Sequence, residues 1–274
     1  VTIALVAIPR ILVIAGSDSG GGAGIQADIR TITMLGGHPM TAITAITAQN
    51  TLGVSGVLAV PAAMVIRQID AVATDIGVDA VKIGMIGSAE TAHALADRLE
   101  RLKGVPIVLD PVMVATSGAT LADAETIEGF ARLMRLATIV TPNLPELAAL
   151  SGVEIATEAE AVEAALLLAR RHGCAVLAKG GHLEGDTVVD LLVGSGGVDR
   201  RWSGSRIVTR HSHGTGCTLA SGIAAGLAAG MAMEPAIGQA RDYVRAALLA
   251  APGLGAGHGP MGHALGLVPF ARLR

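Results

Sequence analysis

The segment His213-Gly214-Thr215-Gly216-Cys217 opens a run that carries no charge as far as Met233. If residues 215–229 form a helix, its first turn presents unpaired N–H groups and the positive end of the helix dipole, which together suit a phosphate. Gly214 and Gly216 remove the side chains that would block approach, and Thr215 and Cys217 stand in that turn. A helix start lowers a thiol pKa from its usual value of about 8.5, so Cys217 reads as a reactive thiolate. The bland alternative, a buried structural cysteine, fits Cys174 better.

A second glycine cluster, Gly16-Ser17-Asp18-Ser19-Gly20-Gly21-Gly22-Ala23-Gly24, lies near the start. So many small residues suit a backbone that must approach a ligand closely. Residues 22–27 fit the loose dinucleotide fingerprint, but that reading needs an acid about 20 residues on, and segment 39–47 has none. No Gly-x-x-x-x-Gly-Lys-Ser/Thr run is present, which excludes a P-loop at motif level. Asp110 ends an apolar run before Pro111, and a buried strand end rarely carries a carboxylate without a partner. Lys179 ends another such run before Gly180-Gly181, where a compact cation fits a phosphate. Asn143 and Glu146, three residues apart, either share an ion such as Mg²⁺ or cap a helix. The eight histidines show no zinc spacing, and no Ser-His-Asp signature or Gly-x-Ser-x-Gly elbow occurs.

These residues need a scaffold that brings them together. Apolar, β-type runs at 10–15, 39–47, 56–60, 80–83, 106–109, 138–141 and 175–179 read as strands, and 187–193 with 200–208 as an antiparallel pair. Helical patterns cover 23–35, 61–75, 88–102, 157–172, 215–229 and 234–251. Thr157 and Glu160 form a capping box, and Gly173 stops that helix. Strands buried on both faces and separated by helices imply an α/β fold with a mainly parallel central sheet. Ligands bind such sheets beyond the carboxyl ends of the strands, where the singled-out residues stand.

Composition narrows the class. The chain has 274 residues, 51% of them hydrophobic but only 1% aromatic, so Ala, Val, Ile, Leu and Met must fill the core. A net charge of −3 with mixed signs gives no basic footprint for nucleic acid, and four aromatic residues give no stacking platform. Two distant cysteines make no disulfide scaffold and point to a reducing, cytoplasmic setting. The uncharged stretch 214–233 places Leu219, Ile223, Leu227 and Met231 on one stripe, the pattern of a buried helix and not of a membrane span. Residues 1–9 read as an apolar extension without a basic leader, and 10–274 as one domain.

Taken in order, residues 16–28, 44–51, 82–85, 110–113, 141–146, 179–182 and 213–218 resemble the hydroxymethylpyrimidine/phosphomethylpyrimidine kinases of thiamine biosynthesis. The resemblance runs from about residue 10 to 263. It implies a ribokinase-like three-layer sandwich, a homodimer, and two ATP-dependent phosphorylations of 4-amino-5-hydroxymethyl-2-methylpyrimidine, with Mg²⁺ accompanying ATP. By the same resemblance Gln49 hydrogen-bonds the aminopyrimidine, Gly16, Asp28 and Val112 line its pocket, and Met85 packs on the ring. Asn143, Lys179, Asp110 and Glu146 serve Mg-ATP, the last two as metal ligands, and Gly214, Thr215, Gly216 and Cys217 form the anion hole. Relatives in the wider fold carry an Asp base where Cys217 stands, which assigns the thiolate that role. The family loop often reads Gly-Thr-Asp-Pro-Ser-Gly-Gly; here Ser17, Ser19 and Gly20 depart from it. A pyridoxine or pyridoxal kinase is the nearest rival, and a non-catalytic sensor the rival from another class.

Overall fold

Strand β1 (Arg10–Asp18) shows why the chain folds in layers. Its side chains alternate across the sheet. Leu12 and Ile14 enter one apolar core, Ile11, Val13 and Ala15 the other, and all five are buried. A strand with two apolar faces must be covered on both, and helices do so here. The computed structural model describes residues 7–113 and 124–265. Residues 1–6 of the expected extension therefore lie outside the described residues.

After β1 come α1 (Gly24–Met34), β2 (His38–Asn50), β3 (Gly53–Ala59), α2 (Ala62–Asp75), β4 (Ala80–Ile83), α3 (Ala89–Leu99) and β5 (Ile107–Leu109). They are followed by α4 (Ala124–Leu136), β6 (Ile139–Val140), α5 (Leu144–Ser151), α6 (Glu158–His172) and β7 (Ala175–Lys179). The chain continues through a 3₁₀ turn (Gly180–His182), β8 (Thr187–Gly194), β9 (Gly197–Ser205), α7 (Thr215–Ala228) and α8 (Met233–Leu249). The sheet has nine strands in the order β3-β2-β1-β4-β5-β6-β7-β8-β9. The six from β2 to β7 run parallel, and β3, β8 and β9 add antiparallel edges. One core packs α2, α3, α4, α5 and α6 against the sheet, with Phe130 and Leu95 at its centre. The other packs α1, α7 and α8, with Ile32, Ile223 and Ile237.

The expected strands and helices are present with small shifts at their ends. The capping box of α6 forms as expected, and Gly173 closes the helix at φ 71°. Two differences have physical causes. Strand β9 begins at Gly197 and ends at Ser205, so residues 206–208 are not strand. There the Arg206 guanidinium donates to the carbonyls of Gly181, Leu183 and Gly185, which holds the chain away from the ladder. Helix α4 is missing from the sequence reading because Gly129 breaks its pattern; a Cβ on Gly129 would stand 2.6 Å from Ala92 Cβ, so the glycine lets α3 and α4 touch. Glycine does similar work in α7, where a Cβ on Gly222 would stand 2.8 Å from Ala240 Cβ of α8.

One expected pocket residue turns out to be a tie between layers. Asp28 in α1 is fully buried and grips Lys82 of β4, with Nζ 3.0 and 2.9 Å from its two oxygens. Ser221 of α7 donates to Asp28 Oδ1 at 2.7 Å. Burial pushes the Asp28 carboxyl up, while Lys82 and Ser221 pull it back. Burial likewise disfavours the Lys82 ammonium, but Asp28, Cys217 and Asp110 together outweigh it and hold Lys82 protonated. Breaking a buried pair strands the surviving charge. Lys82→Met is therefore expected to cost about 3–5 kcal/mol of stability in urea unfolding. The double variant Asp28→Asn/Lys82→Met should lose less than the sum of the single losses; additive losses would show that the two charges are not coupled.

Candidate active site

The carboxyl ends of the parallel strands open into one cavity of about 980 Å³. Gly16 and Asp18 come from β1, Gln49 from β2, Met85 from the turn after β4, Asp110 from the end of β5, Asn143 from the end of β6 and Lys179 from β7. The start of α7 closes the ring with Gly214, Thr215, Gly216 and Cys217. Gly16, Gln49, Met85, Val112, Asn143, Glu146 and Lys179 all line this cavity, so thirteen expected site residues reduce to one outlier, Asp28, which is buried beneath it. The physical reason is the ion pair with Lys82 and the Ser221 hydrogen bond, which hold the Asp28 carboxylate in the core.

Close backbone contact builds the floor. Gly214 caps α7 at φ 87°, and a Cβ there would stand 2.0 Å from Gly22 O. Gly24, at φ 56°, passes Gly16 O so closely that a Cβ would stand 2.3 Å from it. Glycine is required at both crossings for conformation and for space. A Cβ on Gly16 would also stand 3.0 Å from Met85 Sδ, so the bare glycine seats the methionine across the loop.

Cys217 keeps partial exposure in the first turn of α7. Burial nevertheless pushes its thiol up to about 11; Lys82 and the Gly24 N–H favour the thiolate, and the Asp28 and Asp110 carboxylates oppose it. This corrects the expectation that the helix start alone keeps Cys217 ionised: the dipole is outweighed by desolvation and neighbouring acids. The buried thiol of Cys174 is pushed up to about 11 by burial, as befits a structural cysteine.

Beneath the first turn of α7, Lys179 Nζ lies 2.8 Å from Asp110 Oδ1 and 4.0 Å from Glu146 Oε2. Thr141 also donates to Asp110 Oδ1, at 3.0 Å. A Cβ on Gly216 would stand 3.1 Å from Lys179 Nζ and 3.3 Å from Asp110 Oδ2, so only glycine leaves these groups open to the helix start. Asn143 and Glu146 form a capping box on α5: Glu146 N donates to Asn143 Oδ1 at 2.9 Å and Asn143 N to Glu146 Oε2 at 2.8 Å. The cap alternative therefore holds for the pair, although both residues still face the cavity. Burial pushes the Glu146 carboxyl up to about 7; Lys179 pulls it down and Asp110 adds to the rise. Two carboxylates thus share one ammonium, which leaves negative charge that a cation arriving with a phosphate would neutralise.

The sequence reading missed a second polar cluster. Asp18 is buried and accepts from Gly20 N at 2.8 Å, Gly22 N at 3.0 Å and Ala23 N at 2.9 Å. His213 Nε2 lies 2.9 Å from Asp18 Oδ2 and 3.0 Å from Gln49 Nε2. Burial works to raise the Asp18 carboxyl, but His213 and the backbone N–H groups outweigh it and hold it below its usual range. The signal was available: Asp18 ends a buried strand as Asp110 does. Lys82, alone among apolar residues in a four-residue strand, likewise demanded a partner.

Comparison with known proteins shows the family and the fold. The family model described as phosphomethylpyrimidine kinase matches residues 18–262. A hydroxymethylpyrimidine/phosphomethylpyrimidine kinase of Rhizobium meliloti is 50% identical over 92% of this chain and 96% of its own length. The thiamine biosynthesis bifunctional protein ThiED of Geobacter sulfurreducens is 49% identical over 93% of this chain, which spans only 52% of that relative. Among solved structures, phosphomethylpyrimidine kinase from Clostridium difficile 630 superposes with a TM-score of 0.76 at 37% identity, covering 87% of this chain and 98% of the other. Bacillus subtilis pyridoxal kinase, solved as an ADP complex, superposes with a TM-score of 0.86 at 31% identity, covering 94% of this chain and 98% of the other. With most of its length matched by the family model and by relatives of this kind, the chain belongs to the hydroxymethylpyrimidine/phosphomethylpyrimidine kinase family, on the ribokinase-like α/β fold.

Proposed function

We propose that the chain phosphorylates 4-amino-5-hydroxymethyl-2-methylpyrimidine to the monophosphate and then to the diphosphate, in thiamine biosynthesis, with ATP as donor. The observation that carries this reading is that Gln49 and Cys217 flank one cavity. A carboxamide offers both a donor and an acceptor, the pair needed by a ring nitrogen beside an exocyclic amine. Gly16, Met85 and Val112 form the wall beside it, with the acceptor hydroxyl directed to Cys217. In the transfer, the acceptor oxygen bonds the γ-phosphorus, the bond to the bridging oxygen breaks, and ADP leaves. Little covalent chemistry falls to the protein; positioning and charge neutralisation dominate. Thr215 N donates to Ser212 O at 3.3 Å, so the N–H groups at Gly214 and Gly216 and the Lys179 ammonium face the transferring phosphate, and Asn143 lies on the nucleotide side.

Asp110 and Glu146 fit a magnesium ion, which is typically held by one or two carboxylates together with substrate phosphates. No group of three His, Cys, Asp or Glu side chains among the described residues forms a cage of its own. When bound with ATP, the ion supplies charge neutralisation at the phosphates.

We further propose a cytoplasmic homodimer. Among the described residues no helix is long and apolar enough to cross a membrane. Ile46, Leu52, Val57 and Leu58 stand exposed at the β2–β3 edge, an apolar patch that a second copy would cover. A pyridoxal kinase reading draws on fold likeness at lower identity, and the pyrimidine reading on relatives near 50%. A coupled assay with the hydroxymethylpyrimidine should yield monophosphate and then diphosphate. Turnover of pyridoxine with no second phosphorylation would favour the rival, and tight binding without turnover would favour a sensor.

Cys217 separates the two half-reactions. If its thiolate takes the hydroxymethyl proton, a thiol at about 11 makes the active form a minor species at neutral pH. The first phosphorylation should then accelerate roughly tenfold per pH unit from 7 to 9, because the deprotonated base is the reactive form. A phosphate acceptor has its second pKa near 6 and is already anionic, so the second phosphorylation should stay flat above pH 7. Cys217→Ala should cut the first step by about 10²–10⁴-fold and the second far less. Equal losses in both, or a flat profile for the first, would remove Cys217 as the base.

A further inference from the structure

Asp18, His213 and Gln49 form a hydrogen-bonded chain whose proton count fixes the direction of the Gln49 amide. Asp18 Oδ2 receives Gly22 N and Ala23 N as well as His213 Nε2, and Oδ1 receives Gly20 N. A carboxylate so surrounded by donors is an acceptor only. His213 Nε2 must therefore carry the hydrogen that joins it to Asp18. A ring nitrogen bearing a hydrogen has no lone pair in the plane with which to accept another. Yet Gln49 Nε2, a pure donor, lies 3.0 Å from the same His213 Nε2.

Turning the amide end for end removes the conflict between two donors, with the one His213 Nε2 hydrogen shared between Asp18 Oδ2 and Gln49 Oε1. Gln49 Oε1 then faces the His213 Nε2 hydrogen. The amide N–H₂ faces Thr47 Oγ1, which lies 3.2 Å from the other end of the amide. That hydroxyl gives its own hydrogen to Ser17 O at 2.9 Å and can accept one in return. The two ends of a carboxamide have nearly the same shape, so the network and not the packing selects the orientation. His213 has little room to move: a Cβ on Gly22 would stand 2.5 Å from its Cδ2.

We infer that Asp18 and His213 lock the polarity of Gln49, so that the cavity presents its donor and its acceptor in one fixed order and rejects heterocycles whose edge carries the reverse order. Asp18 and His213 are positioning residues here, acting through Gln49. The inference rests on the reading that Gln49 grips the heterocycle, and deepens it: the preferred ligand is a ring nitrogen with a lone pair beside an amine. The excluded class has an N–H beside a carbonyl, as in the 4-oxo counterpart of the aminopyrimidine. A site built around buried polar groups rejects a mismatched partner strongly, because its own groups are left unpaired.

The experiment compares kcat/KM for the 4-amino and 4-oxo hydroxymethylpyrimidines in the full chain and in Gln49→Ala, His213→Leu and His213→Gln. The intact chain should prefer the amino ring strongly. His213→Leu frees the amide to turn, and should narrow that preference at least tenfold through the two KM values. His213→Gln returns an N–H donor to the ring position and should restore most of the preference. Equal losses on both acceptors in His213→Leu would mean a merely structural role and overturn the lock. An unchanged preference in His213→Leu, with the aminopyrimidine KM raised in Gln49→Ala, would also overturn the lock while leaving Gln49 as the gripping residue. An unchanged KM in Gln49→Ala would instead remove the underlying reading. Nitrogen-15 NMR of the histidine rings in the unaltered protein gives a readout independent of activity: a protonated Nε2 on His213 supports the lock, and an unprotonated one overturns it.

Discussion

The fully buried ion pair between Asp28 and Lys82 is the constraint on which the active end of this fold depends. Removing two charges from water costs several kcal/mol each, and their attraction repays this only when geometry and further hydrogen bonds are good. Both Asp28 oxygens meet Lys82, and Ser221 adds a third bond. These three residues come from α1, β4 and α7, so the pair fixes one helix layer to the sheet. Ser221 lies four residues after Cys217, one turn along the same face of α7. The ion pair is thus tied to the helix that carries the anion cradle, and a slip of α7 would move the cradle and take the Ser221 hydroxyl from Asp28 together.

The same pair explains the electrostatics above it. Lys82 is the charge that most favours ionisation of Cys217, while Asp28 and Asp110 work against it. Lys179 performs the corresponding task for Asp110 and Glu146. In the cavity a single ammonium, Lys179, stands beside two carboxylates. Oriented N–H groups at the start of α7 suit a phosphate, because they cost no reorganisation when charge shifts during transfer. Glycine is essential at the crossings because a side chain on Gly214 or Gly24 would meet backbone oxygen at 2.0 or 2.3 Å.

Much of this was legible in the sequence, for reasons tied to periodicity. Buried parallel strands give unbroken apolar runs, so β4 and β7 were read to the residue, and the carboxyl-end rule then gathered Gln49, Met85, Asp110 and Lys179, while the helix start singled out Cys217. Helix α4 escaped because Gly129 serves a contact with α3 that no local pattern reveals. Asp28 was placed in the pocket by the family resemblance alone, and no local pattern points to the lysine 54 positions away with which it pairs in the core. The Cys217 expectation rested on a local effect, the helix start. Its ionisation is decided by burial and by charges from three other elements, which spacing along the chain does not encode.

His213 carries that lesson furthest. Read alone, it is a histidine beside a glycine, with no metal spacing. In the fold its ring nitrogen stands between an acid 195 positions away and an amide 164 positions away. It also immediately precedes Gly214, the cap of α7. A single residue therefore joins the group placed to grip the heterocycle to the segment placed to hold the phosphate. The ring packs against Gly22, where a Cβ would stand 2.5 Å from His213 Cδ2, so the glycine makes its room. The proposed kinase must hold one ring in place while its acceptor oxygen changes from a hydroxyl to a phosphate, and in that reading Cys217, a small and partly exposed side chain on the cavity wall, leaves room for the larger acceptor.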